Sequence, residues 1–378
     1  MANLFSDVTV KKWRRFRGIR RGYYAFCLFM LMVVLAVTAE LWASNRALIV
    51  KYEGQLYFPS YGDVITGNTF GLGYQYETNY RELKALFAEQ ANAEQASAEQ
   101  ANTDQANVDQ VNAAPVPASP SKNWVLLPVV PWSPYEQDYS GNGYPPSAPS
   151  AAQSHYLGTD SSGRDILARL VYGFRTAVGF AFIALTASYV IGVLLGCAMG
   201  FVGGKFDLFF QRFIEVWSQV PFLYVIMILV SLTQPNFMLF VGINVLFGWM
   251  GITWYMRTLT YREKVRDYVL AARAQGAGLW RIIVHHILPN TLVMIVTLAP
   301  FTVVANISLL TALDYLGFGL APPTPSWGEL LRQGVNHLDA PWIVGSVVTA
   351  VSLVLITVSF IGEAIREALD PKHFSRYE

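Results

Sequence analysis

Residues 267–290 read DYVLAARAQGAGLWRIIVHHILPN, a charged and helix-prone interval between strongly apolar stretches. Asp267 is placed to accept backbone N–H groups as an N-cap for a short helix from Tyr268 to about Gln275. Gly276 stands where a helix commonly ends, because glycine takes the left-handed conformation at little cost. A second helical piece is expected over Leu279–His286, and Pro289 opens the next apolar run at a helix-start position. The expectation is a small helix–turn–helix pinned between two membrane spans, a handle for a cytoplasmic partner.

The rest of the chain supports a membrane setting. Of 378 residues, 53% are hydrophobic and 14% charged, and the apolar ones are clumped, as a bilayer selects. A span needs about 20 mainly apolar residues. Six stretches qualify, at about 23–43, 177–202, 213–233, 238–256, 291–313 and 343–361. The first is too long for a signal-peptide core, and Ala39-Glu40-Leu41 is a poor cleavage site, so it reads as a retained span. Lysine and arginine set the orientation. They crowd the leader (Lys11, Lys12, Arg14, Arg15, Arg17, Arg20, Arg21), the 257–290 loop (Arg257, Arg262, Lys264, Arg266, Arg273, Arg281) and the tail (Arg366, Lys372, Arg376). With six spans these segments share one side, which the positive-inside rule makes cytoplasmic, with both termini inside.

The organisation that follows is a basic leader (1–22), a first span (23–43) and a long segment outside the membrane (44–170). A core of membrane spans (171–365) carries the 257–290 loop, and a short cytoplasmic tail (366–378) follows. The aromatic leader either anchors at the interface or lies as an amphipathic helix on anionic lipid. Within 44–170, LIVKYEGQLYFPSYGDV is rich enough in aromatic and β-branched residues to be ordered. From Glu89 to Ala113 runs a five-residue repeat, EQANA-EQASA-EQANT-DQANV-DQVNA. Its period matches no helical face, which predicts a disordered or loosely helical spacer. The aromatic and proline-rich segment after it is expected to be extended.

Several residues bear on chemistry. Gly158, Thr159, Asp160, Gly163, Arg164 and Asp165 form a polar turn, and Asp160 lacks the ligand spacing of a calcium loop. Gly192, Gly196 and Gly200 recur every fourth residue, which lets two helix backbones approach closely in lipid. Gly203-Gly204-Lys205 is followed by Phe206 and is no Walker A loop. Glu215 is an ionisable group near a span end, read as an ion pair with Arg212. Pro221 bends or starts the third span. Pro300 is expected to break the fifth and free backbone groups beside a cavity. After that span, LDYLGFGLAPPTPSWGELLRQG predicts a re-entrant outer loop, with Asp314 at the span end and Trp327 along the interface. His285, His286 and His337 lack metal-site spacing. Cys27 and Cys197 fall inside spans, so neither is placed for a structural disulfide.

Ala271-Ala272, Gly276 and Leu288-Pro289 resemble the cytoplasmic EAA loop of ABC importer permeases, whose first helix is a coupling helix that docks into the ATP-hydrolysing subunit. Leu270 departs from the family's usual glutamate, which would complete a capping box with Asp267, so packing must fix the loop instead. HYLGTDSSGRDILARLVYGFR, from His155, more specifically resembles the C-type permeases of oligopeptide and dipeptide importers, as does the 313–334 loop. GYYAF, LIVKYEGQLYFP, QRFIEVWSQVP, QPNF and VLFGWMGI are similar to the E-type permease of Yej-type importers. The resemblance covers about 11–60, 124–135 and 155–372.

It implies an all-α polytopic membrane protein with the six transmembrane helices of the type I ABC importer permease fold and a large extracytoplasmic insertion after helix 1. It implies a bacterial inner-membrane subunit forming half of a pathway for peptides or peptide-like compounds such as microcin C. Asp267, Leu270, Ala271, Ala272, Gly276, Leu288 and Pro289 would couple it to the ATPases, and the three spaced glycines would pack helices. The implied partners are a second, B-type permease as heterodimer, two ABC ATPase units that use ATP and Mg, and an extracytoplasmic (periplasmic) peptide-binding protein. No cofactor is expected on this chain, and no nucleic acid. The alternative, an ion-coupled secondary transporter, would need a midplane acid and a paired internal repeat. An intramembrane enzyme would need HExxH, or GxSxG within a span.

Overall fold

The computed structural model describes residues 7–105, 123–139, 144–233 and 235–369. They divide into two compact units, Val37–Arg169 and the combination of Met1–Ala36 with Leu170–Glu378. In chain order the helices are α1 (Asp7–Gly18), α2 (Arg20–Val37), α3 (Ala39–Trp42), α4 (Tyr80–Gln105), α5 (Ile166–Val202), α6 (Gly204–Trp217) and α7 (Phe222–Leu232). There follow α8 (Phe237–Glu263), α9 (Asp267–Ala274), α10 (Leu279–Ile282), α11 (Leu288–Leu316), α12 (Trp327–Asn336) and α13 (Pro341–Leu369). Three short strands are β1 (Ile49–Tyr52), β2 (Gln55–Tyr57) and β3 (Trp124–Leu126).

The Val37–Arg169 unit is built on an antiparallel sheet ordered β2-β1-β3. Glu53 and Gly54, both at positive φ, turn β1 into β2, pairing Val50 with Tyr57. Val50, Val125, Phe70, Tyr80, Leu83 and Phe87 make its core. α4 follows the helical alternative of the spacer expectation, since the helix runs from Tyr80 into the repeat as far as Gln105. Alanine, glutamate and glutamine are strong helix formers, and propensity suffices where no buried face is required. The remainder of the repeat, 106–113, lies outside the described residues. The polar turn is a buried rivet. Asp160 accepts the Arg164 side chain at 2.8 Å and the Ser162 N–H at 2.8 Å. His155 lies between Asp165, at 2.8 Å, and Asp138, at 3.2 Å, and stacks on Trp132. The Asp160 turn is thus structural.

Among the described residues of the other unit, five helical runs are long and apolar enough to cross a membrane: α2, α5, α8, the continuous run Leu279–Leu316, and α13. α6 and α7 together make a sixth, bent by 68°. The third span is therefore two helices rather than the single run 213–233. Pro221, which has no N–H to donate, sits at the start of α7. Pro300 does not break the fifth span; α11 continues through it. Arg212 and Glu215 pair at 2.5 Å on the exposed side of α6. The leader helix α1 is held against α13 by Phe16 packed on Ala364 and Ala368.

Candidate functional site

α9 begins at Asp267, but Arg266 occupies the N-cap position and no side chain caps the helix. Asp267 is thus the first helical residue rather than the cap. It still places a negative charge at the positive end of the helix dipole. The C-terminus is closed by the backbone alone. The Gly276 N–H donates to the Arg273 carbonyl and the Ala277 N–H to that of Ala272, both at 3.0 Å. With Gly276 at φ +80°, this is a Schellman closure.

Val269 and Ala272 are the buried residues of α9. Val269 joins a core with Cys197 of α5, Met256 of α8, and Ile282, Ile283 and Ile287. Packing does fix the loop, through Val269 and Ala272. Leu270 instead points outward, 49% exposed, with Ala271, Arg273 and Ala274 also exposed. Tyr268 donates to Glu263 at 2.5 Å. Burial, with that carboxylate beside it, pushes the Tyr268 hydroxyl up to about 12.

The expected second helix does not end before Pro289. α10 passes through a π turn, Ile283–Ile287, directly into α11. In a regular helix the Pro289 ring would collide with the carbonyl four residues back, and a wider turn relieves that crowding. Asn290 Nδ2 then donates to the His286 carbonyl at 2.7 Å. Leu288 is half-buried against the α9 core while Pro289 is exposed. The loop is therefore a short outward-facing helix on the rigid head of a 38-residue span.

Two features tie together α5, α6 and α8, the first and last of which supply the core on which this head packs. The first is a clasp. Arg257 of α8 donates Nε and Nη2 to Asp207 of α6 at 2.5 and 2.7 Å, and the Tyr261 hydroxyl donates to the same carboxylate at 2.5 Å. Lys264 Nζ reaches the Gly200 carbonyl at 3.0 Å. The second is a seam between α5 and α8. A Cβ at Gly192 or Gly196 would come within 2.5 Å of the Trp249 or Thr253 carbonyl oxygen respectively, and one at Gly200 within 2.6 Å of Arg257's. The glycines thus set the approach of α8.

Residues 192–374, which hold the seam, the clasp and the loop, match the family described as binding-protein-dependent transport system inner membrane component. The inner membrane ABC transporter permease protein YejE of Escherichia coli is 38% identical over 369 residues, covering 97% of this chain and 98% of the relative. The chain belongs to this permease family. The peptidoglycan transport system permease protein YejE of Agrobacterium fabrum is 35% identical, covering 97% of this chain and 94% of the relative. The oligopeptide transport system permease protein OppC of Haemophilus influenzae is 34% identical, covering 66% of this chain and 80% of the relative. A polytopic permease of the inner membrane was the expected class, and it holds, although the fold is mostly helical rather than all-α, since the Val37–Arg169 unit carries a three-stranded sheet.

At the far end of α11 the permease carries a second polar centre. Asp314 is buried and accepts the Leu320 N–H at 2.7 Å and the Ser326 hydroxyl at 2.5 Å. Trp327 does not lie along the interface. It is buried, its indole N–H donates to the Leu170 carbonyl at 2.9 Å, and a Cβ at Gly173 would meet its ring. α12 follows, capped by Ser326, so the second half of the outer loop is a regular helix. The Asp207–Arg257 clasp escaped the sequence reading, although one signal was there: an acid near the end of an apolar span calls for a partner.

Proposed function

We propose that this chain is one of two unlike permeases in an ATP-driven importer of peptides or peptide-like compounds, microcin C-like ones included. It would form half of the pathway, with a B-type permease as the other half. The relatives' peptidoglycan and oligopeptide transport names support the substrate class. Two separate ATPase units would use ATP and Mg, and an extracytoplasmic peptide-binding protein would deliver the cargo. The basic residues of the leader, the 257–290 loop and the tail favour a cytoplasmic location for both termini.

The observation that carries the coupling role is α9 itself. Val269 and Ala272 lock it to the span core while Leu270, Ala271 and Arg273 face away from it. A helix anchored on one face and uncovered on the other transmits a push without absorbing it. Asp267 and Gly276 set its two ends, and Leu288 and Pro289 join it to the fifth span. For the cycle to move anything, the ATPases must favour one arrangement of the permease pair over the other.

The test is a disulfide or maleimide cross-link from Ala271→Cys to the ATPase, with Cys27 and Cys197 replaced and uptake checked. A cross-link whose yield changes with ATP is expected. An uptake-competent complex that forms none, with or without nucleotide, refutes the docking role of α9.

A further inference from the structure

A carbon-lined groove runs between α2, α5, α11 and α13, with a volume of about 540 Å³. Phe26, Phe29, Leu185, Ala299, Pro300 and Val358 are among its walls. Its two hydroxyls are already engaged. Tyr189 pairs with Thr302 at 2.7 Å, and Thr186 donates to the Phe182 carbonyl at 2.8 Å. The groove therefore offers an occupant dispersion contacts and no free polar group. Toward the leader it adjoins a second apolar hollow of about 280 Å³, with Phe26, Val296, Ile361 and Ile365 common to both. Trp13, Phe16 and Phe26 cluster there with ring centroids 5.5–6.0 Å apart. Aromatic residues of this kind mark the headgroup level of a span.

Charge lies at the same end. No acidic residue occurs between Asp7 and Glu40. Arg14, Arg17 and Arg20 are exposed on the helices that carry the aromatic cluster. The facing end of α13 contributes Glu363, paired with Arg366 at 2.7 Å, and Glu367, 3.6 Å from Arg21. A cation excess remains on the helices that bound the leader end of this acyl-sized groove. We infer that this chain holds an anionic phospholipid of the leaflet at the leader's end. One acyl chain would lie in the groove, its end under the aromatic cluster, and the phosphate would meet the arginines. Charge complementarity selects the anionic lipid over a zwitterionic one, because each basic residue near an anionic surface adds a factor of about five.

The test uses the full chain in its assembled complex, in phosphatidylethanolamine nanodiscs. These are doped either with a phosphatidylglycerol bearing an acyl-chain diazirine or with the same probe on phosphatidylcholine. Illumination should label peptides around Val296–Ala299 and Ile361–Ile365, at least about tenfold more with the glycerol headgroup. R14Q/R17Q/R20Q should erase that preference while leaving the zwitterionic labelling unchanged. Ala299→Trp should abolish both labels by filling the groove. If it fails to assemble, Val358→Phe carries the same test. Equal labelling by the two probes, or labelling indifferent to the filled groove, overturns the inference. So does a photo-cross-linker at Val296 that captures a helix of the second permease rather than lipid.

Discussion

At its N-terminal end the run Leu279–Leu316 meets a loop that caps itself with backbone. The N–H groups of Gly276 and Ala277 return to the carbonyls of Arg273 and Ala272, and side chains such as Leu270 are left outward. At its C-terminal end the chain turns just as sharply at Gly317, φ +83°. There a side chain does the work, with Asp314 gathering the Leu320 N–H and the Ser326 hydroxyl out of reach of water. The contrast follows from solvent. An accessible turn can leave polar groups to backbone and water, which frees its side chains for a partner. A buried turn must bring its own acceptor, since each unpaired donor is costly. The first end leaves its side chains exposed, and the second spends one on closure.

The contrast is tested hardest by Asp314→Ala, which strands two buried donors at about 1–3 kcal/mol each. A loss of about 2–6 kcal/mol is expected by thermal unfolding in detergent. A midpoint that barely moves would mean the outer turn closes without its carboxylate. Gly276→Val forces a branched residue into the left-handed region, at about 1–2 kcal/mol. No atom lies within 4 Å of its Cβ position, so strain rather than collision is at work, and uptake should fall while the spans stay folded.

Tyr268→Phe should lose about 0.5–1.5 kcal/mol with the Glu263 hydrogen bond. The folded-state pKa of about 12 lies above the ordinary 10, so folding favours the protonated phenol. Its contribution is complete below about pH 10 and lost as pH rises toward 12. The gap between wild type and Y268F should therefore be flat at neutral pH, and a gap that changes between about pH 6 and 9 would place another titrating group at α9. Leu270→Ala should change stability by less than about 0.5 kcal/mol, as an exposed site does. It should still weaken copurification of the ATPase. Normal ATPase retention would return Leu270 to the class of idle surface residues.

The spans were legible because apolar runs of bilayer length leave few alternatives, and Gly276 was legible because only a left-handed residue ends a helix that way. Other features were hidden for identifiable reasons. Asp267 carries the composition of a cap, but whether a residue stands at the cap or one place inside depends on the chain entering it, here through Arg266. Pro289 stands in the first turn of α11, as a helix start should, but the π turn that joins that helix to α10 leaves no mark in the sequence. The five-residue repeat lacks a face, so its period shows no sign of the helix that Tyr80, Leu83 and Phe87 anchor in the core and that runs on to Gln105. Asp207 and Arg257 stand 50 residues apart in sequence, so only the fold reveals that each is the other's partner. Trp327 carries the mark of an interfacial residue, and the burial that overrides it comes from helices distant in sequence.

The seam between α5 and α8 has one more property. Gly192, Gly196 and Gly200 meet the carbonyls of Trp249, Thr253 and Arg257 at the same pitch, so the contact is a ladder with equivalent rungs. Shift α8 by four residues, about 6 Å at the helical rise, and two of the three glycines again lie under a carbonyl. The ladder fixes how near the two helices run but is nearly blind to how far along. Register is decided at its last rung, where Lys264 holds the Gly200 carbonyl and Arg257 holds Asp207. That rung lies at the root of α9, whose first residue, Asp267, follows Lys264 closely in the chain, so the contacts that pin α8 lengthwise also fix where α9 begins.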